Sequence, residues 1–352
     1  MGYLIFLIFV ITIILAFLQD YLKQYRAILY CLLALILILT AGFREIGVDP
    51  DSTNYEYTYL NCYSDKALDN VEYSYIFLSQ LLNFFTKDAH AIFLLYAILG
   101  VSTKFLALRK LSDLYFIPII VYIGYYFTVH ECMQIRTGVL SGLFLFVVKY
   151  LGDGDRKKAL ICLLAGLVFH YSALLILPFF LVKNKPIGKK GKIFWSAIIP
   201  AAYVIALMGV SFMLNTFEIP YIGSKVAAYQ SAQEKGVIIS SINIFSPRDL
   251  MSICIYYYLL IFYDTLATCN KYFPLMMKFF GVGLFVYVSM SFFPVLAQRT
   301  YMLLSTVTIV LISNIYYTIK QKWAGLLLVA CISLLYLNYS LANIEFYLLW
   351  KV

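Results

Sequence analysis

Two arginines lie within or at the edge of apolar runs, where an isolated charge is costly: Arg136, in Gln134-Ile135-Arg136, and Arg299, in Gln298-Arg299-Thr300-Tyr301. A guanidinium is a charged planar fork that matches phosphate oxygens. Two such forks on different helices could clamp one pyrophosphate. The plainer reading is two separate salt bridges, with Arg136 paired to Glu131 or another carboxylate. A third arginine, Arg44, opens Arg44-Glu45-Ile46-Gly47-Val48-Asp49-Pro50-Asp51. Its glycine and Asp-Pro suit a tight turn. There Asp49 or Asp51 could take a proton or hold a hydroxyl, or the stretch is an acidic loop with an arginine snorkelling at the interface. Glu72 begins an amphipathic segment, as a base or simply as a carboxylate favoured at a helix N-terminus. His170, in Phe169-His170-Tyr171-Ser172, could donate to a phosphate or act as a base near neutral pH. A satisfied core histidine is the alternative. His90 and His130 form no metal-ligand spacing with it.

The elements that must position these groups follow from composition. Of 352 residues, 63% are hydrophobic and 13% charged, against about 45–50% and about 25% in soluble domains. There is too little polar surface for a water-facing globule. Continuous rather than alternating apolar stretches argue against a β-barrel. The expected fold is an all-α polytopic membrane protein of roughly 11–12 membrane helices. They form a single integral domain over residues 1–352, and the N-terminal run is a retained helix. The segment 159–182 has basic residues on both flanks and is too short for two spans. It is expected to be two short helices meeting at His170, a re-entrant hairpin. The amphipathic stretch 72–86 is expected to lie along the outer surface of the membrane or to dip into it. The seven cysteines are expected to be inert buried thiols, because most fall in apolar runs without a CxxC pattern.

Orientation follows from the loops. Lys23, Arg26, Lys104, Arg109, Lys110, Lys149 and the basic residues at 156–158, 183–192, 271–278 and 320–322 can all be placed inside, which satisfies the positive-inside rule. The net charge of +9 then reflects topology, not nucleic-acid binding. The candidate residues gather on the outer side, beneath outer loops 43–89 and 214–249. Tyrosines at 55, 57, 59 and 63 could pack against sugars there, or against one another.

No phosphate-binding glycine loop, dinucleotide fingerprint or serine-hydrolase elbow is present. A phosphate-bearing substrate on the outer side must therefore arrive already activated, and a lipid pyrophosphate fits. FREIGVDPDSTNY at 43–55, EYSY at 72–75, QIRTG at 134–138, FHYSALLILPFF at 169–180 and AQRTYM at 297–302 together resemble the EpsG family of Wzy-type polysaccharide polymerases. Thr137 departs from the family's Gln. The resemblance implies a GT-C-related glycosyltransferase of the bacterial inner membrane, with its active site facing the periplasm or exterior. Its donor and acceptor would both be undecaprenyl-pyrophosphate-linked glycans within the membrane lipid. A chain-length regulator would be a candidate partner, and no cofactor or metal is expected. Asp49 or Glu72 would serve the acceptor hydroxyl, with Glu131 a weaker candidate. Arg136 and Arg299, with Arg44 nearby, would hold the pyrophosphate, assisted by His170. An O-antigen ligase would share much of this site but tends to carry a larger late loop. A flippase would favour inverted repeats and charges deep in the membrane. A membrane acyltransferase would place its histidine earlier.

Overall fold

The computed structural model describes residues 1–64, 72–216 and 242–342. Among these residues every regular element is helical. That is the expected answer to apolar runs in lipid, where each backbone N–H and C=O must find a partner within its own segment. Among the described residues six segments are long and apolar enough to cross a membrane: Lys23–Gly42, His90–Leu111, Ile135–Gly152, Lys189–Met208, Pro294–Tyr317 and Lys322–Leu341. The chain is a multi-pass membrane protein. The larger number of membrane helices expected from hydropathy includes runs that the structure shortens or bends. Gly2–Leu18, Tyr171–Leu181 and Phe273–Ser289 are shorter, and Pro247–Ile261 meets Tyr263–Cys269 at 78°.

In chain order the helices are α1 (Gly2–Leu18), α2 (Arg26–Gly42), α3 (Ser52–Leu60), α4 (Tyr73–Asn83), α5 (His90–Leu111), α6 (Ile117–Val121), α7 (Ile135–Gly152), α8 (Arg156–Phe169), α9 (Lys189–Thr216), α10 (Pro247–Ile261), α11 (Tyr263–Cys269), α12 (Phe273–Ser289), α13 (Pro294–Leu304), α14 (Thr308–Ser313) and α15 (Lys322–Ala342). α6 continues into a π-helix, Tyr122–Met133, a rare geometry found often at functional sites. α5 packs between α2 and α7, α7 packs on α8, and α12 packs on α9 and α13.

The hairpin expected at 159–182 is present as α8 followed by the 3-10 helix Tyr171–Leu181. His170 is the extended residue between them. Residues 52–64 and 72–86 form a small helical layer in which tyrosine hydroxyls do the stitching. Tyr75 donates to the Tyr55 carbonyl at 2.8 Å, Tyr59 to that of Thr86 at 2.7 Å and Tyr63 to that of Gln80 at 2.9 Å. Tyr59 is thus buried in its own layer, whereas Tyr57 and Tyr63 stay exposed, the latter held only through its hydroxyl. α4 and the turn that follows it leave Phe77, Leu81, Phe84 and Phe85 exposed, an apolar face suited to a membrane interface. The expected loop 214–249 lies mostly outside the described residues, as do residues 65–71 of the earlier one.

One end of the bundle is basic. Lys149 and Lys271 both pair with Asp153 at 2.9 Å, Lys192 pairs with Asp264 at 2.7 Å, and Lys278 donates to the Lys183 carbonyl at 2.7 Å. α7 runs from this end to Arg136 at the other, and its 18 residues span about 27 Å at 1.5 Å per residue.

Two expectations are corrected here. Lys104 is not a loop lysine: it is fully buried within α5, and its Nζ lies 2.6 Å from Glu131 Oε1. Hydropathy averages over one buried charge, so the run reads as apolar up to a basic end. Charged groups do therefore occur deep in the bundle. The thiols are likewise not uniformly buried. Cys31, Cys254, Cys269 and Cys331 are exposed, because hydropathy does not say which face of an apolar helix meets a neighbour.

Candidate active site

The end of the bundle opposite the lysines holds a cavity of about 910 Å³. The π-helix delivers its C-terminal residues to the wall. The Gln134 N–H bonds five residues back to the Val129 carbonyl at 2.8 Å, and α7 then starts with Arg136 in its first turn. Gly138 lets this turn lie against the His130 backbone, where any Cβ would overlap the carbonyl. Arg136, Arg248 and Arg299, from α7, α10 and α13, all line the cavity.

Each arginine is held differently. Arg136 pairs with the Glu72 carboxylate and lies over the Tyr55 ring, 5.6 Å from its centroid. Arg248 Nε lies 3.2 Å from Asp249 Oδ1. Arg299 is exposed on the second turn of α13 and, among the described residues, has no carboxylate partner.

Glu72 precedes α4 in an extended conformation, and its side chain caps no backbone N–H. Glu72 thus stands at the helix N-terminus as expected, but its carboxylate reaches across to α7 rather than to its own backbone N–H groups. Its other oxygen lies 3.4 Å from His170 Nε2. His170 Nδ1 accepts a hydrogen bond from the Ser172 N–H at 3.1 Å, which leaves the ring proton on Nε2, facing Glu72. His170 stands at the hairpin turn, outside the spanning helices. Burial, with Arg136 and Arg299 nearby, pushes its pKa down to about 4, so the ring is neutral at physiological pH.

The structure separates the two aspartates of the Asp-Pro-Asp turn. Asp49 is buried and fully engaged. Its Oδ2 accepts from Arg44 Nε at 3.1 Å, and its Oδ1 accepts the backbone N–H groups of Asp51 and Ser52 at 3.0 and 2.9 Å. Arg44 in turn donates to the Ala41 carbonyl at 2.8 Å and lies over Phe93 at 4.0 Å. Neither Asp49 nor Arg44 lines the cavity. They hold the turn, whose Gly47 adopts φ of +90°, a conformation that suits glycine. Asp51 does line the cavity. With Asn54, Tyr55 and Thr58 it makes one face of α3 at i, i+3, i+4, i+7 spacing. Burial and the neighbouring Asp49 raise its pKa, against Arg136 and Arg44.

This contrast carries a test. Asp51→Asn is expected to lower turnover at least tenfold with an unchanged melting temperature. Asp49→Asn is expected to lower the melting temperature, because Arg44 loses its buried counter-charge. If Asp51 acts as the base, wild-type activity falls as pH drops through its raised pKa, earlier than for an ordinary carboxylate, and that limb of the profile is absent in Asp51→Asn.

Glu131 does not pair with Arg136. It accepts from Lys104 at 2.6 Å and from the Tyr122 hydroxyl at 2.8 Å, away from the cavity. The sequence left a pair with Arg136 open, but the chain breaks at Gln134, so Glu131 on the π-helix and Arg136 on α7 belong to different helices and face different neighbours. The sequence reading missed Arg248. Ser246-Pro247-Arg248-Asp249 carries a helix-start signal, Ser as N-cap and Pro at the first position. It was hidden at the end of a long polar segment read as loop.

Against the families of known proteins, the EpsG family model matches residues 27–350. The chain belongs to the EpsG family. The family is associated with Wzy-type polymerases, and membership supports a polysaccharide-polymerase role in general terms, as a polymerase-type glycosyltransferase. Comparison with curated proteins and with solved structures gave no match.

Proposed function

We propose that this protein joins oligosaccharide repeat units carried on undecaprenyl pyrophosphate into a surface polysaccharide, such as an O antigen, capsule or exopolysaccharide. It would act as a GT-C-like enzyme at the outer face of a bacterial cytoplasmic membrane. The observation that carries this reading is the convergence of Arg136 and Arg299 from separate helices on one cavity that also holds His170 and Asp51, with Glu72 linking His170 to Arg136.

In the reaction, the acceptor hydroxyl of the incoming lipid-linked unit attacks the anomeric carbon of the donor glycan. The bond from that carbon to the pyrophosphate oxygen breaks, and lipid pyrophosphate leaves. Fixed donors aimed at the leaving group are worth most when they are in place before charge develops. Arg299, which has no carboxylate partner among the described residues, is open to that task. Arg136 supplies a second fork, and the Nε2 proton of neutral His170 can be donated to a phosphate oxygen. The acceptor proton goes to Asp51 or Glu72. Neither needs a cofactor to accept it. A chain-length regulator would act from outside this site.

The test is purified protein in nanodiscs with native lipid-linked repeat unit and no added nucleotide. A product ladder spaced by one repeat is the expected result. Transfer to a lipid A core without a ladder would move the assignment to a ligase. Native substrate left unchanged, with movement of the lipid across the bilayer, would move it to a transporter.

A further inference from the structure

The three cavity arginines are not equivalent in charge. Asp249 is buried, and both its oxygens are taken. Oδ1 accepts from Arg248 Nε at 3.2 Å, and Oδ2 accepts the hydroxyls of Ser246 at 2.7 Å and Tyr287 at 2.9 Å. Arg248 Nη2 also donates to the Tyr287 hydroxyl at 3.3 Å. The Arg248–Asp249 pair is therefore neutral as a unit. The remaining guanidinium nitrogen, Nη1, makes no hydrogen bond among the described residues, and the side chain keeps about 28% of its surface open.

We infer that the wall built from Arg248, Asp249, Tyr125, Tyr287 and Tyr301 is a subsite for a sugar ring of the glycan, not for the pyrophosphate. This rests on the lipid-linked-glycan reading above. A pyrophosphate brings several negative charges and gains most from an uncompensated cation, which is what Arg299 offers. A neutral pair with a fixed, open N–H edge offers it little net attraction. Arg136 is also paired, but its partner Glu72 is a proton acceptor in the proposed reaction, so that pair turns cationic as the pyrophosphate departs, whereas Asp249 is closed off by Ser246 and Tyr287. A sugar ring has no charge to match. It presents hydroxyl acceptors and apolar C–H edges, and it is recognised by a few fixed donors set among aromatic surface.

The surroundings of Arg248 have that character. Tyr287 and Tyr301 pack at 4.8 Å between ring centroids, and Tyr125 packs on Tyr336 at 4.6 Å. Tyr125, Tyr287 and Tyr301 line the same cavity as Arg248. The donor is also held rigidly. Ser246 and Pro247 start α10 immediately before it, and one turn further on Ser252 Oγ lies 2.7 Å from the Tyr336 hydroxyl. A guanidinium fixed on two sides loses little further freedom when it binds a hydroxyl. The competing role for the knot is a structural pin between α10 and α12.

The experiment measures binding to full-length protein in nanodiscs. Two probes are used: sugar-free undecaprenyl pyrophosphate, and the undecaprenyl-pyrophosphate-linked oligosaccharide extracted from the source cells. Arg248→Gln is expected to weaken the sugar-bearing lipid roughly tenfold or more, the scale of one charged hydrogen bond. It should leave the sugar-free lipid within about twofold. Arg299→Gln is expected to weaken both. Equal weakening of the sugar-free lipid by the two variants would overturn the subsite and make Arg248 a phosphate ligand. An Arg248→Gln protein that binds both probes like wild type would reduce the knot to a pin. Wild-type protein binding neither lipid would overturn the lipid-linked reading itself. If Arg248→Gln does not fold, Tyr287→Phe removes one support of the same donor and is read on the same two probes.

Discussion

Arg299→Ala is expected to lower the rate of chain extension on the order of 100-fold or more, the usual scale for removing one oriented donor from a developing anion. The protein should stay folded. Arg299 is exposed and has no carboxylate partner among the described residues, so its loss strands no buried charge. The loss should appear in turnover more than in apparent substrate affinity, because the charge it meets is largest as the pyrophosphate departs. Arg136→Ala is expected to be comparably inactive for a second reason as well. It frees Glu72 from its ion pair and so changes the group facing His170. Arg136→Lys keeps the charge but not the fork, and should recover only part of the rate. Ladder length and initial rate on the native lipid-linked unit measure all three. Wild-type chain lengths in both alanine variants would refute the proposed clamp.

The second large effect is on stability. Lys104→Met is expected to destabilise the protein by about 3–5 kcal/mol, since it leaves Glu131 buried without its counter-charge. Lys104 Nζ serves two partners, Glu131 Oε1 at 2.6 Å and the Gly138 carbonyl at 2.5 Å. It thereby ties α5 to the π-helix and to the first turns of α7, the turns that carry Arg136. Glu131 is 1% exposed, so it cannot turn to water. The double variant Lys104→Met with Glu131→Gln should regain much of the loss, because the penalty lies in the unpaired charge and not in the absence of the pair. Thermal unfolding in detergent measures both. A single variant that melts with wild type would show that water reaches the pair. Gly100→Ala is a third probe of the same contact, since a Cβ there would overlap Glu131 Oε2.

These predictions mark which parts of the molecule were legible beforehand. Membrane class and helical architecture follow from composition and from the length of the apolar runs, because lipid leaves the backbone few other solutions. The break at His170 followed from a basic segment on each side of a run too short for two spans. Arg136, Arg299 and His170 could be singled out as candidates because polar groups beside apolar runs are costly and demand a reason. Sequence alone determined the solvent, the element type and the residues that needed explaining.

Only the tertiary structure decided which of them meet. Glu72 finds Arg136, 64 positions along the chain, rather than capping its own helix. Glu131 turns to Lys104 because the helix breaks at Gln134, which puts it and Arg136 on different helices with different neighbours. Asp49 and Asp51 are the same residue type two positions apart, yet one closes a turn on Arg44 and the other faces the cavity. Arg248 enters the site from a segment that reads as loop. Hydropathy and helical periodicity are local properties, summed over neighbours in the chain. The partner of a charge is set by which helices cross at that depth, and that information lies in the packing.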